Sequence, residues 1–176
     1  EELFSDFSAK ALSIWSSAYE TEELKAFSKT IEKNLPTRKL YKLQLLSSFH
    51  LSFSQNACNF SVPGAGKTSI VYGAFSFLNS LEKTSKKYVN KLMIIGPPSS
   101  FKPWEDEYLL CFGVKPSSIR LNSETNIKER ISSLSGQITD QHNLFLITYN
   151  SVPTLIEYLI RFCNSNKNKV MLVCDE

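Results

Sequence analysis

Cysteine and histidine are sparse in this chain, and their spacing excludes several chemistries. The 176 residues include four cysteines (Cys58, Cys111, Cys163, Cys174) and two histidines (His50, His142). No Cys-x-x-Cys pair occurs and neither histidine has a partner at metal-ligand spacing, so a zinc site is not expected. Cys58 and Cys174 fall in apolar stretches that read as strands, which predicts buried thiols rather than disulfides. Long apolar runs are also missing. The longest, around Leu144–Ile147 and Val170–Cys174, have the length of strands and fall far short of a bilayer span. The opening Glu1-Glu2-Leu3-Phe4 lacks a signal-peptide pattern, so an intracellular, cytoplasmic protein is expected. Neither sign of charge dominates, with 20 basic against 17 acidic residues. The net charge of +3 neither requires nor excludes a nucleic-acid partner, and the small basic groups Lys83, Lys86, Lys87 and Lys167, Lys169 read as solvated loops. No repeat or low-complexity tract is present, and a hydrophobic content of 42% is that of a globular chain.

Two of the six glycines stand either side of Ala65, in Ser61-Val62-Pro63-Gly64-Ala65-Gly66-Lys67-Thr68. This reads as a phosphate-binding loop. Small residues let backbone N–H groups close around phosphate oxygens, and the helix that follows points its positive end at the same charge. Lys67 is placed to reach the β- and γ-phosphates and the Thr68 hydroxyl to ligate Mg²⁺, with Pro63, Gly64, Ala65, Gly66 and Ser69 completing the ATP-binding loop. The first position of the usual pattern is glycine; here it is Ser61. The context fits: Ala57–Val62 reads as a short buried strand, and Ile70, Val71, Ala74, Phe75, Leu78 and Leu81 recur at helical spacing after the loop.

Around this motif the chain alternates. The first 35 residues carry helical periodicity in Phe7, Ala11, Ile14, Trp15 and Ala18, and again in Leu24, Phe27 and Ile31, up to Pro36. A third helix is predicted with Leu40, Leu43, Leu46 and Phe49 on one face. Lys91–Gly96 reads as a strand buried on both faces. Ser99 or Ser100 is expected to cap the next helix, with Pro103 in its first turn and Gly113 at its end. Ser117–Leu121 reads as a short strand, and Ser123 as the cap of a helix with Ile127, Ile131 and Leu134, closed by Gly136. A strand at Leu144–Ile147, a helix capped by Asn150 or Ser151 with Leu155, Ile156, Leu159 and Ile160, and a last strand at Val170–Cys174 complete the series. Alternating apolar strands and amphipathic helices imply a three-layer α/β sandwich around a parallel sheet.

The last strand runs into Asp175-Glu176. A carboxylate there can hold Mg²⁺ and its neighbour can orient and deprotonate an attacking water. Lys67, Asp175 and Glu176 are therefore the candidate catalytic residues, and Thr68 and Asp175 the candidate metal ligands. The expectation is one pocket, with Lys67 and its loop facing the two acids across a magnesium nucleotide.

Several blocks together resemble the first motor lobe of a superfamily-two helicase, especially of the Swi/Snf-like DNA translocases. Leu40-Tyr41-Lys42-Leu43-Gln44 is similar to the segment that ends in an adenine-reading glutamine, Gly64–Thr68 to the phosphate-loop motif, and Ile94–Ser100 with Trp104 and Glu107 to the next motif with its Trp-x-x-Glu. Phe145–Tyr149 resembles the Ile-Thr-Thr-Tyr block and Asp175-Glu176 the start of the Asp-Glu-x-His box. The resemblance covers about residues 38–176. It implies a RecA-like P-loop lobe over residues 37–176, preceded by an accessory helical segment over residues 1–36. It also implies a DNA-dependent ATP hydrolase that moves on or remodels double-stranded DNA, with ATP and Mg²⁺ as cofactors, Gln44 at the base and Ser99 and Thr148 against the DNA backbone.

Ser61 and the Ser-Val-Pro run depart from chromatin-type relatives and favour a prokaryotic or mobile-element type. The family's remaining first-lobe motif and its second lobe do not follow Glu176 in this sequence, so an incomplete lobe with weak turnover by itself is expected. Alternatives are the motor of a restriction or anti-phage complex serving a nuclease or methylase, a nucleotide-gated interaction module without net hydrolysis, or another phosphate-loop enzyme.

Overall fold

The computed structural model describes residues 2–15, 21–54, 56–135 and 137–175. Expectations that rest on Ala18, Gly136 and Glu176 lie outside them. The chain divides into two compact units, Glu1–Ser80 with Leu110–Gly113, and Leu81–Leu109 with Val114–Glu176.

The first unit is helical: α1 (Glu2–Trp15), α2 (Glu22–Asn34), α3 (Lys42–Phe53) and α4 (Lys67–Asn79). Thr21 caps α2 by accepting from Leu24 N at 3.2 Å, and Glu22 and Glu23 sit at the positive end of the helix. Phe27 and Ile31, four apart, turn inward and are buried. Phe27 meets Phe49 edge-on at 5.2 Å between ring centres and Phe77 at 4.7 Å. Each such ring taken out of water contributes about 1.5–3 kcal/mol.

Helix α4 is buried almost all round, as expected of a helix apolar on every face. It lies close to α3: Ser48 Oγ donates to the Ile70 carbonyl at 2.8 Å, and a methyl group added at Gly73 would come within 2.6 Å of that hydroxyl. Leu81 falls beyond the end of the helix.

Two sequence expectations fail in this unit. Ala57–Val62 forms no strand; Cys58 is exposed, as are Phe60 (90%) and Val62 (71%). Local bonding replaces a ladder here, since Asn59 Oδ1 accepts both Ser61 N–H (3.1 Å) and Ser61 Oγ–H (2.5 Å). Such turns compete with extended pairing. Leu43 is 77% exposed rather than on the inner face of α3. That face is occupied by Gln44, Ser48, Phe49 and Ser52, and residues one position apart point about 100° apart on a helix.

The second unit holds a four-stranded sheet, all parallel, in the order β2-β3-β1-β4: β1 (Lys91–Gly96), β2 (Ser118–Leu121), β3 (Leu144–Thr148) and β4 (Val170–Cys174). The two central strands, β1 and β3, are the most deeply buried, which explains their unbroken apolar sequence. Their connections are α5 (Pro98–Phe112), α6 (Ile127–Ser133), α7 (Gln137–Gln141) and α8 (Val152–Asn164), with one 3₁₀ turn at Tyr149–Ser151. The last turn of α5 belongs to the helical unit, where Thr37 Oγ1 donates to the Leu110 carbonyl at 2.8 Å. One core cluster joins Met93, Leu121, Phe145 and Ile147 of the sheet to Leu134 and to Leu155, Leu159 and Phe162 of α8.

The α/β architecture with a parallel sheet and helices is as expected, and the differences are local, among them the short α7, where no helix was predicted. Helix α5 begins at Pro98, because a proline in the first position removes only an N–H that has no helical partner. Ser99 and Ser100 therefore lie inside its first turn, and Pro103 falls in the helix body. Asn126, not Ser123, caps α6, its side chain accepting from Lys128 N at 2.9 Å. Ile156 and Ile160 of α8 are exposed, opposite the buried face. Cys174 is exposed as well, because β4 pairs only with β1 and forms an edge of this sheet. Among the described residues no helix is long and apolar enough to cross a membrane.

Candidate functional site

The residues around Gly64 and Gly66 form a turn followed at once by helix. Ala65 N–H donates to the Val62 carbonyl at 3.1 Å, and Gly64 and Gly66 take φ of +82° and +78°. Residues with a side chain rarely adopt that region. Gly66 is the N-terminal boundary of α4, and no side chain caps the helix there. The first-turn N–H groups of a helix have no intrahelical acceptor, and an uncapped end of this kind is suited to an anion. Lys67 is exposed at the first helical position, Thr68 is half-buried beside it, and a Cβ on Gly64 would meet nothing within 4 Å. The loop thus has an open side. Ser69 is buried, and its hydroxyl accepts from Arg38 Nη2 at 3.4 Å.

Gln44 joins this group in an unexpected way. Its Oε1 accepts from Tyr41 N at 3.0 Å, closing the start of α3, and its Nε2 donates to the Ala65 carbonyl at 2.9 Å. The side chain is 7% exposed. In this arrangement Oε1 holds the start of α3 and Nε2 ties that helix to the loop. Pro63 is exposed on the turn.

A second group gathers at the carboxyl ends of the strands, the edge at which open parallel sheets bind ligands. Asp175 follows β4, with its N–H donating to the Ile95 carbonyl at 2.7 Å. Trp104 Nε1 donates to Asp175 Oδ2 at 2.8 Å, and the Tyr149 hydroxyl donates to the Asp175 carbonyl at 2.6 Å. Thr148, at the end of β3, is buried and shares a 2.8 Å hydrogen bond with Ser151 Oγ, to which Arg130 Nη1 also donates at 3.3 Å. Ser99 is exposed in the first turn of α5. Glu176 lies outside the described residues.

The candidate residues therefore fall into two sets, Gln44 with Pro63–Ser69 in the helical unit and Ser99, Thr148 and Asp175 in the sheet unit. The contacts of Trp104 and Tyr149 with Asp175 were not foreseen. Their only signal in the sequence was their place in blocks resembling helicase motifs, which carries no information on what the side chains touch.

Among the described residues, no group of three or more His, Cys, Asp or Glu side chains is placed to hold a metal. Thr68 and Asp175 nevertheless supply hard oxygen donors. Mg²⁺ takes one or two such groups beside phosphate oxygens and water, so each residue by itself is of a type that Mg²⁺ accepts. No family model matches the chain, and no curated protein matches it either.

Proposed function

We propose that this chain is the ATP-binding part of a DNA-dependent ATPase that couples hydrolysis to movement on double-stranded DNA. The observation that carries the nucleotide reading is the uncapped start of α4 behind the Gly64–Gly66 turn, with Lys67 exposed beside it. Loop amides and the helix end hold a polyphosphate, and the Lys67 ammonium offsets charge on its terminal groups. Thr68 and Asp175 are the metal ligands in this reading. Mg²⁺ held by them would supply positive charge against the phosphate oxygens. Glu176 takes the role of orienting water and accepting its proton. Ser99 and Thr148 are assigned to the DNA backbone, where contacts position the protein without reading sequence.

The test is ATP binding and hydrolysis with and without duplex DNA, in the wild type, Lys67→Ala and Glu176→Gln. Binding lost in Lys67→Ala, with DNA-stimulated turnover lost in both variants, is the expected result. Hydrolysis indifferent to DNA removes the translocase assignment, and an absence of nucleotide binding in the wild type removes the whole reading.

A further inference from the structure

Asp175 is held from four directions. Its N–H is bound in register to Ile95 of β1, its carbonyl accepts from Tyr149, and its Oδ2 accepts from the Trp104 indole at 2.8 Å. The fourth constraint is space. A Cβ at Gly96 would lie 3.2 Å from Asp175 Cβ and 3.0 Å from Ser100 Oγ, so a larger residue there would press the aspartate by a few tenths of an ångström. Trp104 is 3% exposed on α5. An indole N–H has one direction of donation and needs an acceptor once buried.

We propose that Trp104 is a positioning residue, which aligns the Asp175 carboxylate for a divalent cation carried on a nucleoside diphosphate or triphosphate. This inference rests on the nucleotide reading above. With Oδ2 committed to the indole, Oδ1 accepts no hydrogen bond among the described residues and is the oxygen offered to a cation. The carboxylate also loses the rotational freedom it would otherwise surrender on binding, and such outer partners tune metal ligands. The competing explanation is that Asp175 only satisfies the buried indole. That task needs an oxygen but no charge, so the two explanations separate experimentally.

The experiment uses the full chain. Trp15→Phe leaves Trp104 as the one remaining tryptophan of the two, and ¹⁵N labelling then reports its indole alone. The chain is titrated with Mn²⁺ at saturating ADP, with bound Mn²⁺ read by electron paramagnetic resonance, and ADP affinity is measured separately in EDTA. Binding of Mn²⁺ with ADP is expected to broaden the Trp104 indole resonance. Trp104→Phe is expected to weaken Mn²⁺ binding about tenfold, as loss of an outer partner does, with metal-free ADP affinity unchanged within about twofold. Asp175→Asn keeps an oxygen for the indole and is expected to weaken Mn²⁺ binding at least as much.

Unchanged Mn²⁺ affinity in Trp104→Phe, or an indole resonance that bound Mn²⁺ leaves sharp, overturns the positioning role while the nucleotide reading stands. The broadening measurement keeps Trp104 in place, so a sharp resonance overturns the role even if Trp104→Phe fails to fold, and Asp175→Asn then carries the affinity comparison. A wild-type chain that binds no ADP overturns both.

Discussion

Gln44 Nε2 donates to the Ala65 carbonyl at 2.9 Å, so the first turn of α3 is tied directly to the Gly64–Gly66 loop. The same side chain closes its own helix through Tyr41 N. Gln44→Ala removes both bonds from a buried site. It is expected to lower stability by about 1–2 kcal/mol and to weaken ADP binding about three- to tenfold through a looser loop. Chemical denaturation and calorimetric ADP titration check the two effects. ADP affinity equal to wild type would show that the loop holds its shape without the brace.

The two loop glycines should differ in tolerance. Both have positive φ, but a Cβ on Gly66 would collide with Gln44 Nε2, whereas one on Gly64 meets open space. Gly64→Ala is therefore expected to cost about 1–2 kcal/mol from backbone strain alone, and Gly66→Ala more. Adding Gln44→Ala to Gly66→Ala should recover part of the excess. Thermal melts of the four proteins test the order, and a Gly64→Ala protein less stable than Gly66→Ala would refute it.

Glu105 and Arg120 form an ion pair joining α5 to β2, and Ser118 Oγ donates to the same carboxylate at 2.7 Å. Burial alone would raise the Glu105 pKa, but the hydrogen bonds from Arg120 and Ser118 and the charge of Arg120 outweigh it and hold the value below 4.5. A carboxylate depressed in the folded state contributes stability that is complete above its unfolded pKa and fades as pH falls through the folded one. Arg120 is substantially exposed, so Arg120→Ala should cost only about 0.5–1 kcal/mol at neutral pH. The difference from wild type should shrink below about pH 4. Denaturation at pH 7 and pH 3 reads this; an undiminished difference at pH 3 would contradict it.

Lys91 is a buried cation, 6% exposed, whose Nζ donates to the Thr139 and His142 carbonyls at 2.5 and 2.6 Å. Desolvation lowers its pKa below 10.5 against the opposing pull of Asp140. The folded chain thus loses this proton before the unfolded chain does. The penalty for burying the charge is full below the folded pKa and declines as pH rises from there to 10.5. Lys91→Met strands two carbonyls and is expected to cost about 2–3 kcal/mol at pH 7. Wild-type stability should rise relative to the variant in the alkaline window, a comparison that denaturant midpoints from pH 7 to 10.5 can make.

The Gly64–Gly66 turn, the four strands of the sheet and most of the helices were legible in the sequence because their signals are local. A run such as Leu144–Ile147 is apolar without a break because a central parallel strand is covered on both sides, and the Gly-Ala-Gly turn is needed wherever the chain must pass through positive φ. What needed the tertiary structure was partner choice. Whether Ala57–Val62 becomes a strand depends on a neighbour to bond with, and Asn59 supplied its bonds locally instead. Which face of α3 turned inward was set by Gln44 reaching Ala65 and Ser48 reaching Ile70, polar contacts that hydrophobic periodicity does not register. The hydrogen bond from Trp104 to Asp175 spans 71 positions. Spacing along the chain encodes which face of an element a residue occupies, but which distant group meets that face is decided only when the elements pack.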